Sequence, residues 1–338
     1  MTCSFETGMW GALRWALSEE ISDLGVVYTT DMGINFLTWD KVPYGEVQVV
    51  SPLIRRVTAN NPGPYTYTGT GTYIVGHGEV AIIDPGPDDK DHVAALLRAV
   101  AGERVTHILV THTHTDHSPA TAALATATGA TVYAYGPHPD EPDDAVSFED
   151  ETDSDGTEPK ESGDLTFVPD IELRDGDVVE GPDWTIDVLF TPGHIANHLC
   201  FALQEEQALF SGDHVMGWST TVVPPPHGDL RLYMRSLELL LERDDVRYFP
   251  THGPSIENPI PFTAALLEHR KFRERQIVDQ LRSGVDAIVD MVAVMYPDLD
   301  EQLHKAAGAS VLAHLTALID DEMVTVVGSG KTSRYRLR

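Results

Sequence analysis

What this chain lacks narrows it first. It has two cysteines in 338 residues, Cys3 and Cys200, so a disulfide scaffold is excluded and a reducing cytoplasm fits. Cys200, inside the apolar run HLCFAL, reads as a core residue. No run approaches the roughly 18–20 apolar residues of a membrane span. The opening stretch lacks the pattern of a cleaved signal peptide, with Glu6 before its apolar segment and Glu19 and Glu20 after it. Positive charge is scarce: 23 Lys and Arg face 53 Asp and Glu, a net −30. Residues 259–338 carry 10 basic and 11 acidic side chains, so residues 1–258 hold −29 of that total. Such a surface repels phosphate backbones unless a local basic patch overcomes it. No repeat of fixed period is present.

What is there divides into three parts. Residues 1–45 read as an N-terminal extension. Residues 46–258 alternate β-rich runs with amphipathic segments. The spacing predicts helices over 88–100, 118–128 and 229–242, and strands over 106–112, 131–135, 184–191, 199–203 and 207–211. Between 138 and 164, twelve Asp or Glu face one Lys, which reads as a solvated, mobile acidic loop. Residues 259–338 change character. Helices are predicted over 263–283, 286–296 and 299–320, followed by a hairpin turning at Gly328, Ser329 and Gly330. Three helices and a hairpin make the pattern of a winged helix.

The chemistry lies in five separated segments, each past an apolar run. THTHTDHSPA sets His112, His114, Asp116 and His117 at a strand-to-helix turn. That spacing lets alternate side chains converge on neighbouring cations, and imidazole with carboxylate is a donor set that zinc and similar ions accept. Asp84 in IIDPGP, His194 in TPGHIANH, Asp213 in FSGDH and His252 in FPTHGP each stand at a strand end. Any one of these alone reads as a turn residue; five in this order read as a site.

That order resembles the five-motif pattern of the metallo-beta-lactamase superfamily over residues 46–258. The resemblance is closest to the beta-lactamase-like protein 2 family, on NNPGPYTYTGTGTYIVG, TPGH, FSGDHVMGWSTTV, LLEHRKFRERQIVDQL and the terminal winged helix. It implies an αββα sandwich with the metal site at one edge of two sheets. Carried over by position, His112, His114 and His194 hold a first divalent ion, Asp116, His117 and His252 a second, and Asp213 bridges them. Asp84 then orients the ligand loop from behind. Zinc is the expected metal, and manganese or iron suits the same donors. One departure is DHSPA, where many members carry a glycine pair after the motif histidine; it removes no ligand.

Two cations lower the pKa of a shared water to about 7 and stabilise a developing oxyanion. The implied activity is hydrolysis of a small acyl substrate: an ester, thioester, lactone or β-lactam. Asp116 is placed to orient the attacking water, and His214 to give a proton to the leaving group. His198 reads as a packing neighbour of the ligands. His227 and, through the resemblance, Tyr65 and Tyr67 are candidate substrate contacts, whereas His138 reads as an ordinary loop residue. The family also includes endoribonucleases, so single-stranded RNA is the alternative substrate. Its support is Arg270, Lys271, Arg273, Arg275, Lys331, Arg334, Arg336 and Arg338, interspersed with acids. A third reading makes the winged helix a regulatory or interaction module and the metal domain a sensor. The predicted third helix carries Asp300, Glu301, Asp320 and Asp321, a poor reader of a DNA groove. Packing against the hydrolase domain, or against a second copy in a homo-oligomer, suits it better.

Overall fold

The computed structural model describes residues 18–22, 25–29, 34–39, 41–140, 162–297, 304–328 and 330–338. Most of the acidic loop and of the N-terminal extension lies outside them. Three short strands come first, β1 (Ser18–Ser22), β2 (Gly25–Thr29) and β3 (Asn35–Phe36). Then follow β4 (Val47–Val49), β5 (Ile54–Thr58), β6 (Gly71–Val75), β7 (Glu79–Ile83), α1 (Lys90–Ala99), β8 (Arg104–Leu109), α2 (Thr121–Thr128), β9 (Thr131–Ala134) and β10 (Ile171–Glu172). These strands form a seven-stranded sheet ordered β10-β9-β8-β7-β6-β5-β4. A second sheet, ordered β11 to β16, comprises β11 (Val178–Glu180), β12 (Thr185–Phe190), β13 (Leu199–Leu203), β14 (Ala208–Gly212), β15 (Arg247–Pro250) and β16 (Ile256–Glu257). Helix α3 (Leu230–Leu241) crosses from β14 to β15. The C-terminal part holds α4 (Pro259–Arg282), α5 (Ile288–Met295), α6 (His304–Asp320) and the hairpin of β17 (Val324–Val327) and β18 (Arg334–Leu337).

Side-chain alternation sorts these runs into layers. From β6, β7 and β13, Tyr73, Val75, Ala81, Ile83, Leu199, Phe201 and Leu203 fill the space between the sheets. Their neighbours Ile74, Val80 and Ile82 pack beneath α1 and α2. Cys200 and Ala202 pack beneath α3. Both faces of the central strands are therefore buried, which is why they read as continuous apolar runs. The result is an αββα sandwich with the small helical module at its end. Ile34 and the first half of α4, through Leu266 and Leu267, join the core under α3. The second half of α4, from Ile277, joins the module's own core with Met291, Leu315 and Tyr335.

Helix limits follow local chemistry. Asp89 and Asp229 cap α1 and α3 by accepting from backbone N–H groups of their first turns. Helix α4 begins at Pro259, four residues earlier than the pattern predicts, because proline is tolerated in a first turn. Helix α2 begins three residues late. Ser118 and Ala120 are tied instead to the His114 and Gly86 carbonyls. Strand β8 ends at Leu109 because the Thr111 N–H turns to the Asp84 carboxylate.

Strands β7, β8 and β9 run parallel, as do β14 and β15. Their C-terminal ends meet at one edge of the sandwich, so the loops after them carry Asp84, His112–His117, His138, Asp213 and His252 to a common place.

Candidate metal centre

Three groups of donors converge there: His112, His114 and His194; His112, His117 and Asp213; and Asp116, His117 and His252. All seven predicted ligands are thus brought together. Within each group, the donor atoms lie within 4.8 Å of one another. Asp116 has the most exposed side chain of the third group, 22% against 0% for His117 and His252.

Hydrogen bonds behind the rings fix which nitrogens face inward. His194 Nδ1 donates to the Val222 carbonyl at 2.7 Å, so its Nε2 carries a lone pair, 3.0 Å from His114 Nδ1. The Thr111 hydroxyl donates to Asp84 Oδ2 at 2.8 Å and lies 3.1 Å from His112 Nδ1, so it accepts the N–H there. His112 Nε2, 2.9 Å from His114 Nδ1, is then a lone pair as well. Three imidazole nitrogens meet, and one N–H from His114 cannot serve both neighbours. Burial first, and then the neighbouring rings, hold His112 and His114 well below the ordinary imidazole range, so protons do not resolve the crowding. A cation does.

The second and third groups tell the same story with carboxylates. His117 Nδ1 donates to Asp84 Oδ2 at 2.9 Å and His252 Nδ1 to the Gly69 carbonyl at 3.2 Å. Their Nε2 atoms turn toward Asp116, at 3.6 and 3.0 Å, and toward Asp213, at 3.5 and 3.4 Å. His117 Nε2, His252 Nε2 and Asp213 Oδ1 are buried with no hydrogen-bond partner among the described residues. Burial opposes charge on both rings, yet Asp116 and Asp213 hold His117 well above the usual range and His252 at about 9. Positive charge is what this cluster calls for. The donor set fits two divalent cations, with Asp213 positioned between the groups: its Oδ2 is also 4.0 Å from His194 Nε2.

Asp84 anchors the site from behind. Fully buried, it accepts from the Thr111 N–H (2.8 Å), the Thr111 hydroxyl (2.8 Å), the Thr251 hydroxyl (2.7 Å) and His117 (2.9 Å). His198 also lies behind the ligands. The Asp213 N–H donates to its Nε2 at 3.3 Å, and its Nδ1 lies 2.9 Å from the Thr191 hydroxyl. Gly212, at φ +52°, makes room for this ring, because a Cβ there would stand 2.6 Å from His198 Nε2.

The remaining candidates fall differently. His214 follows Asp213, but its ring is fully buried against Tyr233 at 4.8 Å and His198 at 5.9 Å. Burial lowers its pKa to about 3. The ring is closed off from solvent among these neighbours. Tyr67 is buried, stacked on Trp218 at 4.8 Å, with its hydroxyl accepting from the Trp39 N–H. It forms a wall beside the His252 loop, where Trp218 would stand 2.8 Å from a Cβ at Gly253. Tyr65 is half-buried on the same loop. His227 is half-buried, 5.2 Å from His138, and His138 is 6.5 Å from His114. His138 is thus a neighbour of the centre that sequence reasoning missed. It lies 2.8 Å from the Thr113 hydroxyl, which also accepts from Asn197. The available signal was its place just past TVYAY, at the end of a parallel strand like the other loops.

Residues 66–252 match the family model described as the metallo-beta-lactamase superfamily, and residues 288–332 match that of the beta-lactamase associated winged helix domain. A beta-lactamase-like protein 2 homolog of Caenorhabditis elegans is 30% identical over 82% of this chain and 88% of its own. An atrochrysone carboxyl ACP thioesterase of Aspergillus chevalieri is 34% identical over 72% of this chain and 70% of its own. The crystal structure of a metallo-beta-lactamase family protein from Thermus thermophilus shares the fold, with a TM-score of 0.65 and 24% identity over 86% of this chain and all of its own.

Proposed function

The chain belongs to the metallo-beta-lactamase superfamily of hydrolases, and from that premise we propose that it uses two divalent cations to hydrolyse a small neutral or cationic acyl compound. The observation that carries the two-cation reading is the set of inward-facing Nε2 atoms on His112, His194, His117 and His252, each fixed by a donor bond on the opposite nitrogen. His112, His114 and His194 would hold one cation and Asp116, His117 and His252 the other, with Asp213 between the two groups. When bound, the cations supply Lewis acidity and a water acidified to near neutral pH; zinc suits the donors best.

The chain's own residues do the rest. Asp116, the accessible carboxylate, accepts a hydrogen bond from the attacking water and orients it. Asp84 keeps His117 in the tautomer whose Nε2 faces inward. His138 and His227 stand on the first-cation side as contacts for the substrate or its leaving group, with Tyr67 and Trp218 as an apolar wall on the other.

Charge favours an acyl substrate over RNA. Residues 1–258 carry −29, and several of the C-terminal cations are engaged within the protein. Arg270 is buried on the Thr221 carbonyl. Lys271 faces Glu238 and Glu268, Arg334 faces Asp286, and Arg338 faces Glu322. Each cation engaged in this way is less free to release counterions from a phosphate backbone. The thioesterase among the relatives supports a thioester within the acyl class. The test sets chromogenic esters, thioesters, lactones and β-lactams beside single-stranded RNA, with a chelator and His114→Ala as controls. Metal-dependent acyl hydrolysis is expected; RNA cleavage that is faster and abolished by His114→Ala would overturn the choice.

A further inference from the structure

Beyond ligands and substrate, one residue of the C-terminal part reaches the segment that backs the centre. Arg270, on α4, is 6% exposed and has no carboxylate partner among the described residues. Its guanidinium lies over the Tyr233 ring at 5.2 Å and donates through Nη2 to the Thr221 carbonyl. The Thr221 hydroxyl in turn donates to the Asp213 carbonyl at 2.7 Å, with the His214 carbonyl at 3.0 Å. The next carbonyl, that of Val222, is the one that accepts from His194 Nδ1. One short segment, 221–222, therefore fixes the main chain of Asp213 and the tautomer of His194, and Arg270 pins that segment from the module.

We infer that Arg270 is a positioning residue for the metal centre, so that the helix opening the C-terminal module completes the hydrolase site. The inference rests on reading Asp213 and His194 as ligands, though not on any substrate. A guanidinium suits the task, since it keeps its charge when buried and its planar fork holds a carbonyl in a fixed direction. Breaking such an outer contact typically costs about 10–100-fold in metal affinity or activity.

The experiment uses the full chain and reads cation affinity by chelator competition, the visible absorption of the cobalt(II)-loaded protein, and kcat with KM. Arg270→Met is expected to weaken cation binding about 10–100-fold, to shift the cobalt bands and to lower kcat more than it raises KM. Arg270→Lys should recover part of each change. The control is Arg231→Met, which removes the ion pairs of α3 with Glu274 and Asp321 at the same docking surface, both at 2.5 Å, without touching residues 221–222. It should lower the melting temperature yet leave the cobalt spectrum unchanged. Should Arg270→Met not fold, Thr221→Val against Thr221→Ser tests the same link, with the loss expected for valine only. Cation affinity and cobalt bands equal to wild type in Arg270→Met, or changed equally by Arg231→Met, would overturn the inference, as would a wild-type chain that binds no cation. Tight cation binding without acyl hydrolysis would instead sink the substrate reading and leave Arg270 in place.

Discussion

Asp84→Asn is the sharpest perturbation of this centre, because it preserves shape and reverses one donor. Asp84 sits at φ 50°, a left-handed conformation that asparagine also tolerates, so the backbone gives no reason to move. The carboxylate accepts four bonds: one from the Thr111 N–H on Oδ1, and three on Oδ2 from two threonine hydroxyls and His117. An amide offers one acceptor and one donor end. With its oxygen on the Thr111 N–H, its NH2 faces the His117 Nδ1–H; turned over, it faces the backbone N–H. The hydroxyl of Thr251 can rotate, but a neutral His117 ring, the form a cation needs, relieves the conflict only by moving its proton to Nε2. That removes the lone pair offered to the cation. One or two buried donors left without acceptors, at about 1–3 kcal/mol each, set a stability loss of about 3 kcal/mol. Affinity for the second cation should fall about 10–100-fold, as for other partners that orient a ligand ring. Urea unfolding and a cation titration against a competing chelator measure the two. Wild-type affinity in Asp84→Asn would show that His117 does not depend on Asp84 for its tautomer.

Asp213→Ala should abolish hydrolysis while the far-ultraviolet circular dichroism stays native, because apolar strands hold the sheets; an unfolded spectrum would make the cations structural instead. Arg56→Met removes a buried guanidinium that donates to the Gly253 carbonyl at 2.7 Å and the Thr251 carbonyl at 3.2 Å, on either side of His252. Two carbonyls lose a donor, and urea unfolding should register a cost of about 3 kcal/mol; an unchanged midpoint would show that relief of the buried charge offsets them. His92, whose pKa burial lowers to about 4, makes the fold sensitive to acid. The unfolded chain takes a proton there below about pH 6.5 and the folded chain only near 4, so stability present at neutral pH is lost as pH falls between these values. The loss is roughly 3 kcal/mol at one unit per 1.4 kcal/mol, and His92→Gln should flatten that part of the unfolding profile.

The cluster of candidate donors was legible in the sequence because such residues gather where metal chemistry needs them. THTHTDH places four donors in seven residues, and no packing requirement produces such a run. The sandwich was legible for a related reason: strands buried on both faces leave apolar runs like HLCFAL, and parallel strands leave helices between them. Residues whose roles depend on distant partners were not legible. Arg270 stands in a row of charges, HRKFRER, and reads as one more solvated side chain until the helix is seen to turn that position toward Thr221, 49 residues away. The packing of His214 was equally hidden. Adjacent side chains at a strand end point to different sides, so sitting next to Asp213 places the ring behind the centre, against Tyr233. Ile34 was hidden because its partners, among them Leu230 and Leu266, lie some two hundred residues on.

Arg56 and Arg270 together show how the site tolerates so many carboxylates. Asp84, Asp116 and Asp213 crowd one sheet edge, and the nearest sequence logic would pair them with arginine. Both buried guanidiniums instead bind main-chain carbonyls, at Thr251 and Gly253 in one case and Thr221 in the other. An arginine fork on Asp116 or Asp213 would occupy the same oxygens a cation needs, in the bidentate geometry that makes such pairs strong. Directed at carbonyls, the same groups hold the His252 loop and the segment 221–222 in place and leave the carboxylate oxygens to the cations. The compensation for three carboxylates is then left to the histidine protons of the free protein or to the cations of the loaded one. A centre built this way binds divalent ions because the protein withholds its own positive charge from the ligands.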